Sequence, residues 1–183
     1  RRLARWSRSL SALVVMNAIL VLFGVAIGCL AFAGERHQPS SGRWQSTGHE
    51  TARTRQEHTG HILRANLRVV GGMLAGTCTL GGLGALTLLW NAFGLGYGLS
   101  TLGHVEPAVI PFVFRYVLIE FFAFVLVASV AEHLAGMVLR CLAANEPVRL
   151  KTPLIALATA VALLAVAALI EADVTERVAR GLV

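Results

Sequence analysis

Uncharged apolar stretches too long for a water-soluble core dominate this sequence. The first runs from Leu10 to Gly34, and the second, from Ile62 to Gly103, carries charge only at Arg64 and Arg68, near its start. A helix that crosses the hydrocarbon core of a bilayer needs about 20 consecutive apolar residues. Both stretches exceed that length, so the sequence predicts the all-α class, as a polytopic transmembrane helical bundle.

The overall composition fits a lipid bilayer and argues against nucleic acid as a partner. Apolar residues make up 56% of the chain and charged residues 14%, whereas soluble domains carry about 25% charged residues. The net charge is +6, but the arginines cluster at segment ends and in one polar loop, where anionic headgroups lie. A basic stripe with interleaved aromatic residues does not occur. The 183 residues are predicted to form one membrane domain.

The apolar pattern predicts five transmembrane spans. The second stretch is too long for one straight helix, and its glycines favour two helices that meet in a tight turn near Gly81 and Gly82. The alternative is four spans, with a long helix that ends near Trp90 and a re-entrant segment over residues 93–103. The predicted spans lie within residues 10–34, 62–103 (two helices), 107–143 and 154–170, and a polar loop occupies residues 35–61.

The positive charges favour a cytoplasmic N-terminus. Four arginines precede the first span, and five spans place them on the same side as Arg140, Arg149 and Lys151. The uncharged connector predicted over Asn91–Val105 then lies outside. This orientation also puts the arginine-containing loop 35–61 outside; four spans would reverse that but would place the N-terminal arginines outside.

The first apolar segment contains a close-packing motif. Gly24 and Gly28 have the G-x-x-x-G spacing, which lets a second helix approach the backbone closely. Glycine is also common in transmembrane helices without that role, so both interpretations stay open.

An acid inside an apolar segment is the main candidate for function. Glu120 lies within VLIEFFAFVLVASVAEHL, about one-third of the way along the helix that begins near Pro107. A buried, unpaired carboxylate is costly, so such a residue faces a protein interior or a cavity. Two roles fit: a structural hydrogen bond to a neighbouring helix, for instance to Asn91, and proton transfer.

Other polar residues extend this candidate site. His133 and His104 are the histidines that could transfer protons together with Glu120, although His133 also fits an interfacial residue that faces headgroups. One helical stripe is predicted to carry Arg115, Phe122, Ser129, His133 and Arg140. The polar loop has four histidines but no H-E-x-x-H pattern, so no metal site is predicted. No cofactor is predicted either.

Three segments together resemble the stage II sporulation protein M family of bacterial integral membrane proteins. They are NLRVVGGMLAGTCTLGGLGALTLLWNAFGLG, the helix around IEFFA, and LIEADVT near the C-terminus. The family pattern has an Asn that opens the second span, an Asn-Gly…Gly element, a Pro-His-Gly-x-x-Glu helix and a closing Ile-Glu-Ala-x-x-Thr. The matching positions are Asn66, Asn91, Gly96, Glu120, Ala123, Ile170, Glu171, Ala172 and Thr175. Arg115, Tyr116 and Val117 stand where the family has Pro-His-Gly, and Ala92 stands in place of the glycine after Asn91.

This resemblance covers about residues 10–178 and implies a multi-pass protein of the bacterial cytoplasmic membrane. It also implies a shared polar centre, predicted as Asn66, Asn91, Gly96, Arg115, Glu120 and Glu171. The founding member is implied to be a membrane scaffold in a complex that remodels the cell wall during spore engulfment. Relatives occur beside transporters and in gene clusters for modified or circular peptides.

Three functions are compatible with the sequence. The first is a non-catalytic membrane subunit that binds a second membrane protein or a peptide and organises a complex in peptide maturation or cell-envelope remodelling. The second is an intramembrane acid/base enzyme, or a subunit of one, in which Glu120 with His133 or His104 epimerises or dehydrates a peptide. The third is a transporter or immunity component. Whether the chain is an enzyme stays open.

Overall fold

A computed structural model describes residues 10–34, 55–105 and 107–180, and all its regular elements are helical. The all-α class is therefore confirmed for the described part of the chain. Short 3₁₀ turns occupy Gly76–Thr79 and Pro107–Val109. The five α-helices are α1 (Leu10–Gly34), α2 (Arg55–Ala75), α3 (Gly82–Val105), α4 (Ile110–Ala144) and α5 (Lys151–Ala179).

Within the described ranges, three helical segments are long and apolar enough to cross a membrane. These are Leu10–Ala33, Pro107–Ala144 and Lys151–Val178. The first two turns of α2 are polar, and glycines and polar residues dilute the apolar character of α3. A membrane protein of helical class is thus supported, whereas five spans remain a prediction. Residues 55–61 of the predicted polar loop belong to α2, and the earlier part of that loop lies outside the described residues.

The predicted turn between α2 and α3 is present. Leu80 and Gly81 have left-handed backbone angles, with φ of 54° and 89°, and glycine adopts such angles without a steric penalty. The Gly81 amide donates to the carbonyl of Gly76 at 2.7 Å, which closes the turn. The glycines of this segment therefore reverse the chain, as expected.

The predicted connector over Asn91–Val105 is wrong, because these residues continue α3 as a helix. The four-span alternative, with a helix that ends near Trp90, fails for the same reason. Glycines in this stretch allow close packing rather than breaking the helix. A Cβ on Gly96 would collide with the carbonyl oxygen of Val25 on α1, so only glycine fits at this crossing.

The G-x-x-x-G motif of α1 lies on the other side of the same contact. A Cβ added at Gly24 would lie 2.7 Å from the Cβ of Ala92, and one at Gly28 would lie 2.8 Å from the Tyr97 amide nitrogen. The two helices therefore run side by side in the same direction, with their backbones in contact. The close-packing interpretation of Gly24 and Gly28 is confirmed.

Helix α4 is the centre of the bundle, since it contacts each of the other four helices. Its buried side chains pack against Val70 and Met73 of α2, Leu88 of α3 and Leu164 of α5. Polar residues on the covered face of α4, such as the buried Ser129, therefore lie next to helices that are distant in sequence.

Candidate functional site

Polar side chains from three helices meet around Glu120, in what we call the acidic centre: Asn66, Tyr116, Glu120 and Glu171. Tyr116 and Glu120 are four residues apart on α4, so they share one face of that helix. The Asn66 side chain on α2 interacts with the Glu120 carboxyl group. Glu171 on α5 is close enough to act electrostatically on both Glu120 and Tyr116. These residues therefore form one centre.

Apolar packing between α2 and α5 holds the acidic centre together. Ile62 of α2 packs against Ala168 and Ala172 of α5. Ile62 lies one turn before Asn66, and Ala172 directly follows Glu171. The small alanine side chains let the two helices approach, which brings the amide and the carboxyl group to the same level of the bundle.

The contact between Asn66 and Glu120 leaves hydrogen-bonding capacity unused. Asn66 is only 8% exposed, and its Nδ2 atom meets no acceptor at regular hydrogen-bond geometry among the described residues. The amide therefore lies beside the Glu120 carboxyl group without a fully formed bond. An amide, a phenol and two carboxyl groups supply both donors and acceptors, and carboxyl groups are able to accept and release protons.

A second group of polar residues, the asparagine centre, lies two to three helical turns after Glu120 on α4. It consists of Asn17 on α1 and of Ser129 and Glu132 on α4. The Asn17 Nδ2 atom donates to Ser129 Oγ at 3.1 Å and to Glu132 Oε2 at 3.3 Å. Ser129 in turn donates to the Val125 carbonyl at 2.7 Å. Asn17 is fully buried, so these bonds tie α1 to α4 inside the bundle.

The turn between α2 and α3 packs directly against the asparagine centre. A Cβ on Gly81 would lie 2.5 Å from Glu132 Cγ, and Thr77 Oγ1 donates to the Ala131 carbonyl at 3.4 Å. The left-handed glycine therefore leaves the space that Glu132 occupies. The α2–α3 turn and the asparagine centre are therefore in direct contact.

His133 belongs to neither centre. It is 13 residues after Glu120 on one helix, about 20 Å along the axis at 1.5 Å per residue, so the two cannot act on one group. His133 instead lines an open cleft of about 620 Å³ at the end of α4. We call this cleft the arginine cleft. Its lining residues are Leu10, His133, Met137, Arg140, Glu146, Pro147, Arg149 and Thr152.

The remaining predicted site residues lie apart from the acidic centre. Asn91 donates through Nδ2 to the Thr87 carbonyl of its own helix at 2.8 Å, and Gly96 lies at the contact with α1. Arg115 is exposed, with its guanidinium 4.7 Å above the centre of the Phe112 ring. His104 is in the last turn of α3, and its side chain lies outside the described residues. Of the six residues predicted for one centre, the structure brings together Asn66, Glu120 and Glu171.

The surroundings of the predicted polar stripe change along the length of α4. Arg115 and Phe122 are exposed, whereas Ser129 is fully buried. His133 and Arg140 lie in the arginine cleft. The five residues share one face of the continuous helix α4, as predicted. That face is exposed near the start of α4, contacts α1 at Ser129 and borders the arginine cleft near the end of α4.

The sequence analysis did not predict a role for Asn17, and it did not place Tyr116 in the acidic centre. Asn17 is the one amide in the apolar segment Leu10–Gly34, and a polar residue in such a segment usually faces the bundle interior. The same signal that pointed to Glu120 would have found it. Tyr116 could have been found from its spacing of one turn before Glu120. Among the described residues, no group of three or more His, Cys, Asp or Glu side chains could hold a metal ion.

Apolar helices that enclose polar centres define the described part of this chain as a helical membrane protein. The family described as Stage II sporulation protein M matches residues 17–176, well over half of the chain. The chain therefore belongs to the stage II sporulation protein M family, and the resemblance drawn from the sequence is confirmed. Comparisons with curated proteins and with solved structures gave no match.

Proposed function

We propose that this chain is a subunit of a membrane complex and that it binds a second membrane protein through the outer face of α3. One observation carries this proposal. Gly94 and Gly98 are exposed, and no other part of the described chain lies within 4 Å of the position where a Cβ would stand on either residue. They have the same four-residue spacing as Gly24 and Gly28, which bring α1 and α3 into backbone contact.

The open face of α3 has the properties of a helix-packing surface. Gly94 lies about 200° around the helix from Gly96, so α1 occupies one side of α3 while the opposite side is uncovered. Without side chains at Gly94 and Gly98, a partner helix could approach the α3 backbone closely. Trp90, one turn earlier, is 72% exposed and stacks on Phe93, so an aromatic group borders the glycines.

The proposed setting is the cytoplasmic membrane of a bacterium, where the chain is multi-pass. The family resemblance supports a complex in peptide maturation or cell-envelope remodelling. In this function the two polar centres are structural. They join α1, α2 and α5 to the central helix, so that α3 is held in a fixed position for its partner.

Affinity purification with matched variants tests the proposal. Tagged full-length protein is isolated from native membranes in mild detergent, and the recovery of a second membrane protein is measured. We expect about a tenfold loss of the partner with Gly94→Leu or Gly98→Leu, equivalent to about 1.4 kcal/mol of binding. Ala162→Leu on the exposed face of α5 is the control and should keep the partner. Equal recovery from all variants, or a clean monomer from the unaltered chain, would rule out this function.

The acidic centre supports a second candidate, an acid/base enzyme that acts on a peptide. Glu120, Glu171 and Tyr116 supply three ionisable groups to one centre, and such groups can accept and release protons. Incubation with the precursor peptide in heavy water would reveal epimerisation by deuterium uptake and dehydration by mass loss. Loss of either signal in a Glu120→Gln variant that still binds its partner would support this candidate. Absence of both signals from the unaltered complex would exclude it.

A further inference from the structure

We propose that the arginine cleft binds the phosphate headgroup of an anionic phospholipid. The cleft is a separate feature from the α3 face, because none of its lining residues belongs to α3. The inference therefore does not depend on the proposed partner protein. Position, charge and the distribution of apolar groups each support it.

The cleft lies where three apolar helices end together. Leu10 is the first residue of α1, Arg140 is in the last turns of α4, and Thr152 is the second residue of α5. These are the same three helices whose length and composition allow them to cross a membrane. Their shared end therefore lies at the depth of the lipid headgroups, where basic pockets between transmembrane helices bind anionic lipids.

The charges in the cleft favour a single anionic group. Glu146 faces Arg140, with 3.4 Å between Glu146 Oε2 and Arg140 Nε. Arg149 also lines the cleft and makes no ion pair with any described acidic residue. The lining therefore carries one more positive than negative charge. A guanidinium group presents paired donors that match the oxygens of a phosphate.

The cleft also matches the rest of a phospholipid headgroup. Thr152 adds a hydroxyl group and His133 a ring nitrogen, both able to bond phosphate or glycerol oxygens. Leu10 and Met137 contribute apolar surface to the lining, here called the apolar wall, which suits the start of the acyl chains. The volume of about 620 Å³ falls within the usual range of small-molecule sites, about 300–1,000 Å³. A free phosphate ion would leave most of this space and the apolar wall unused.

Lipid retention by the purified full-length chain tests the inference. The protein is titrated in detergent with phosphatidylglycerol or with phosphatidylcholine, and the bound lipid is counted by native mass spectrometry. We expect retention of phosphatidylglycerol and at least fivefold weaker retention of phosphatidylcholine, consistent with about 1 kcal/mol per arginine near an anionic headgroup. Equal retention of the two lipids would overturn the proposal.

Two variants distinguish lipid binding in the cleft from nonspecific attraction between a basic protein and an anionic lipid. Arg149→Gln should lower phosphatidylglycerol retention at least fivefold, because it removes the arginine without an ion-pair partner. Arg68→Gln, at an exposed position on α2 outside the cleft, should leave retention unchanged. Arg149 lies in the segment between α4 and α5 and is exposed, so its replacement is not expected to prevent folding. Equal losses in both variants would overturn the proposal.

A competition experiment distinguishes binding of the lipid from binding of free phosphate. Inorganic phosphate at millimolar concentration should leave phosphatidylglycerol bound, because it cannot fill the apolar wall. Complete displacement of the lipid by phosphate would show that the cleft binds the free ion, and would contradict the assignment to a lipid.

Discussion

Asn66 on α2 and Glu120 on α4 interact through their side chains across a helix interface inside the bundle. Glu171 of α5 acts on the same carboxyl group. All three residues lie within the part of the chain that matches its family. An acid placed in an apolar helix is thereby explained, because it faces an amide of a neighbouring helix rather than lipid.

Replacement of Glu120 tests whether its carboxyl group stabilises the fold by its shape and polarity or by its negative charge. Glu120→Gln keeps the shape and the capacity to bond Asn66, so the free energy of unfolding should change little. Glu120→Leu should lower it by up to about 1 kcal/mol, because it removes the polar contact with the Asn66 amide, and such interhelical contacts in membrane proteins contribute about 0.6 kcal/mol on average. Thermal unfolding in detergent measures both. A Glu120→Gln protein as unstable as Glu120→Leu would show that the negative charge itself is required for the fold.

Removal of the Asn17 side chain should loosen the contact between α1 and α4. Asn17→Ala deletes the bonds to Ser129 and Glu132, and interhelical hydrogen bonds in membrane proteins contribute about 0.6–2 kcal/mol. Asn91→Ala is the matched control, because the Asn91 amide nitrogen bonds only within its own helix. Asn91→Ala should lower the unfolding temperature less than Asn17→Ala does. A larger loss from Asn91→Ala than from Asn17→Ala would contradict this assignment.

The glycine at the crossing of α1 and α3 should not tolerate a methyl group. Gly96→Ala places a Cβ against the Val25 carbonyl oxygen, and overpacking of this kind costs about 1–3 kcal/mol. Gly71→Ala on α2 is the control, since open space surrounds that position and alanine favours helix by up to about 1 kcal/mol. The Gly71 variant should unfold at the same or a higher temperature. If Gly96→Ala is as stable as Gly71→Ala, the two backbones are not in contact.

Opposite ends of the bundle should face opposite sides of the membrane. Thr101 lies in the last turns of α3, and Arg149 lies in the arginine cleft at the start of α1. In a protein whose three native cysteines are replaced, an impermeant reagent applied from outside should label Thr101→Cys and miss Arg149→Cys. Detergent permeabilisation, as control, should expose both. Labelling of both in intact cells would refute the orientation drawn from the positive charges.

The positions of most helices could be predicted because they follow local composition, although α2 begins at Arg55, within the predicted polar loop. Uncharged runs indicate α1 and most of α5, a largely apolar run indicates α4, and paired glycines mark the turn at Gly81. The connector predicted at residue 91 failed for a long-range reason. Glycine both interrupts helices and lets helices pack, and the outcome at Gly96 depends on Val25, a residue on another helix that no local pattern identifies.

The site was partly predictable for a related reason. Asn66, Glu120 and Glu171 are polar residues in or beside apolar helices, and such residues tend to meet. Asn17 carries no charge and was not predicted, although a buried amide also needs hydrogen-bond partners. The prediction that His133 acts with Glu120 rests on both being ionisable residues in an apolar helix, but 13 residues of helix separate them by about 20 Å.

Photocrosslinking from the open face of α3 most directly tests whether this chain is a subunit that binds a second membrane protein there. A photoreactive phenylalanine analogue is placed at Trp90 or, as control, at Phe122, which is also an exposed aromatic residue and lies on α4. Illumination of native membranes should join the Trp90 variant, but not the Phe122 variant, to one protein of different sequence. Adding Gly98→Leu should abolish that product. Equal products from both positions, no product at all, or a product formed only with a second copy of this chain would contradict the proposed function.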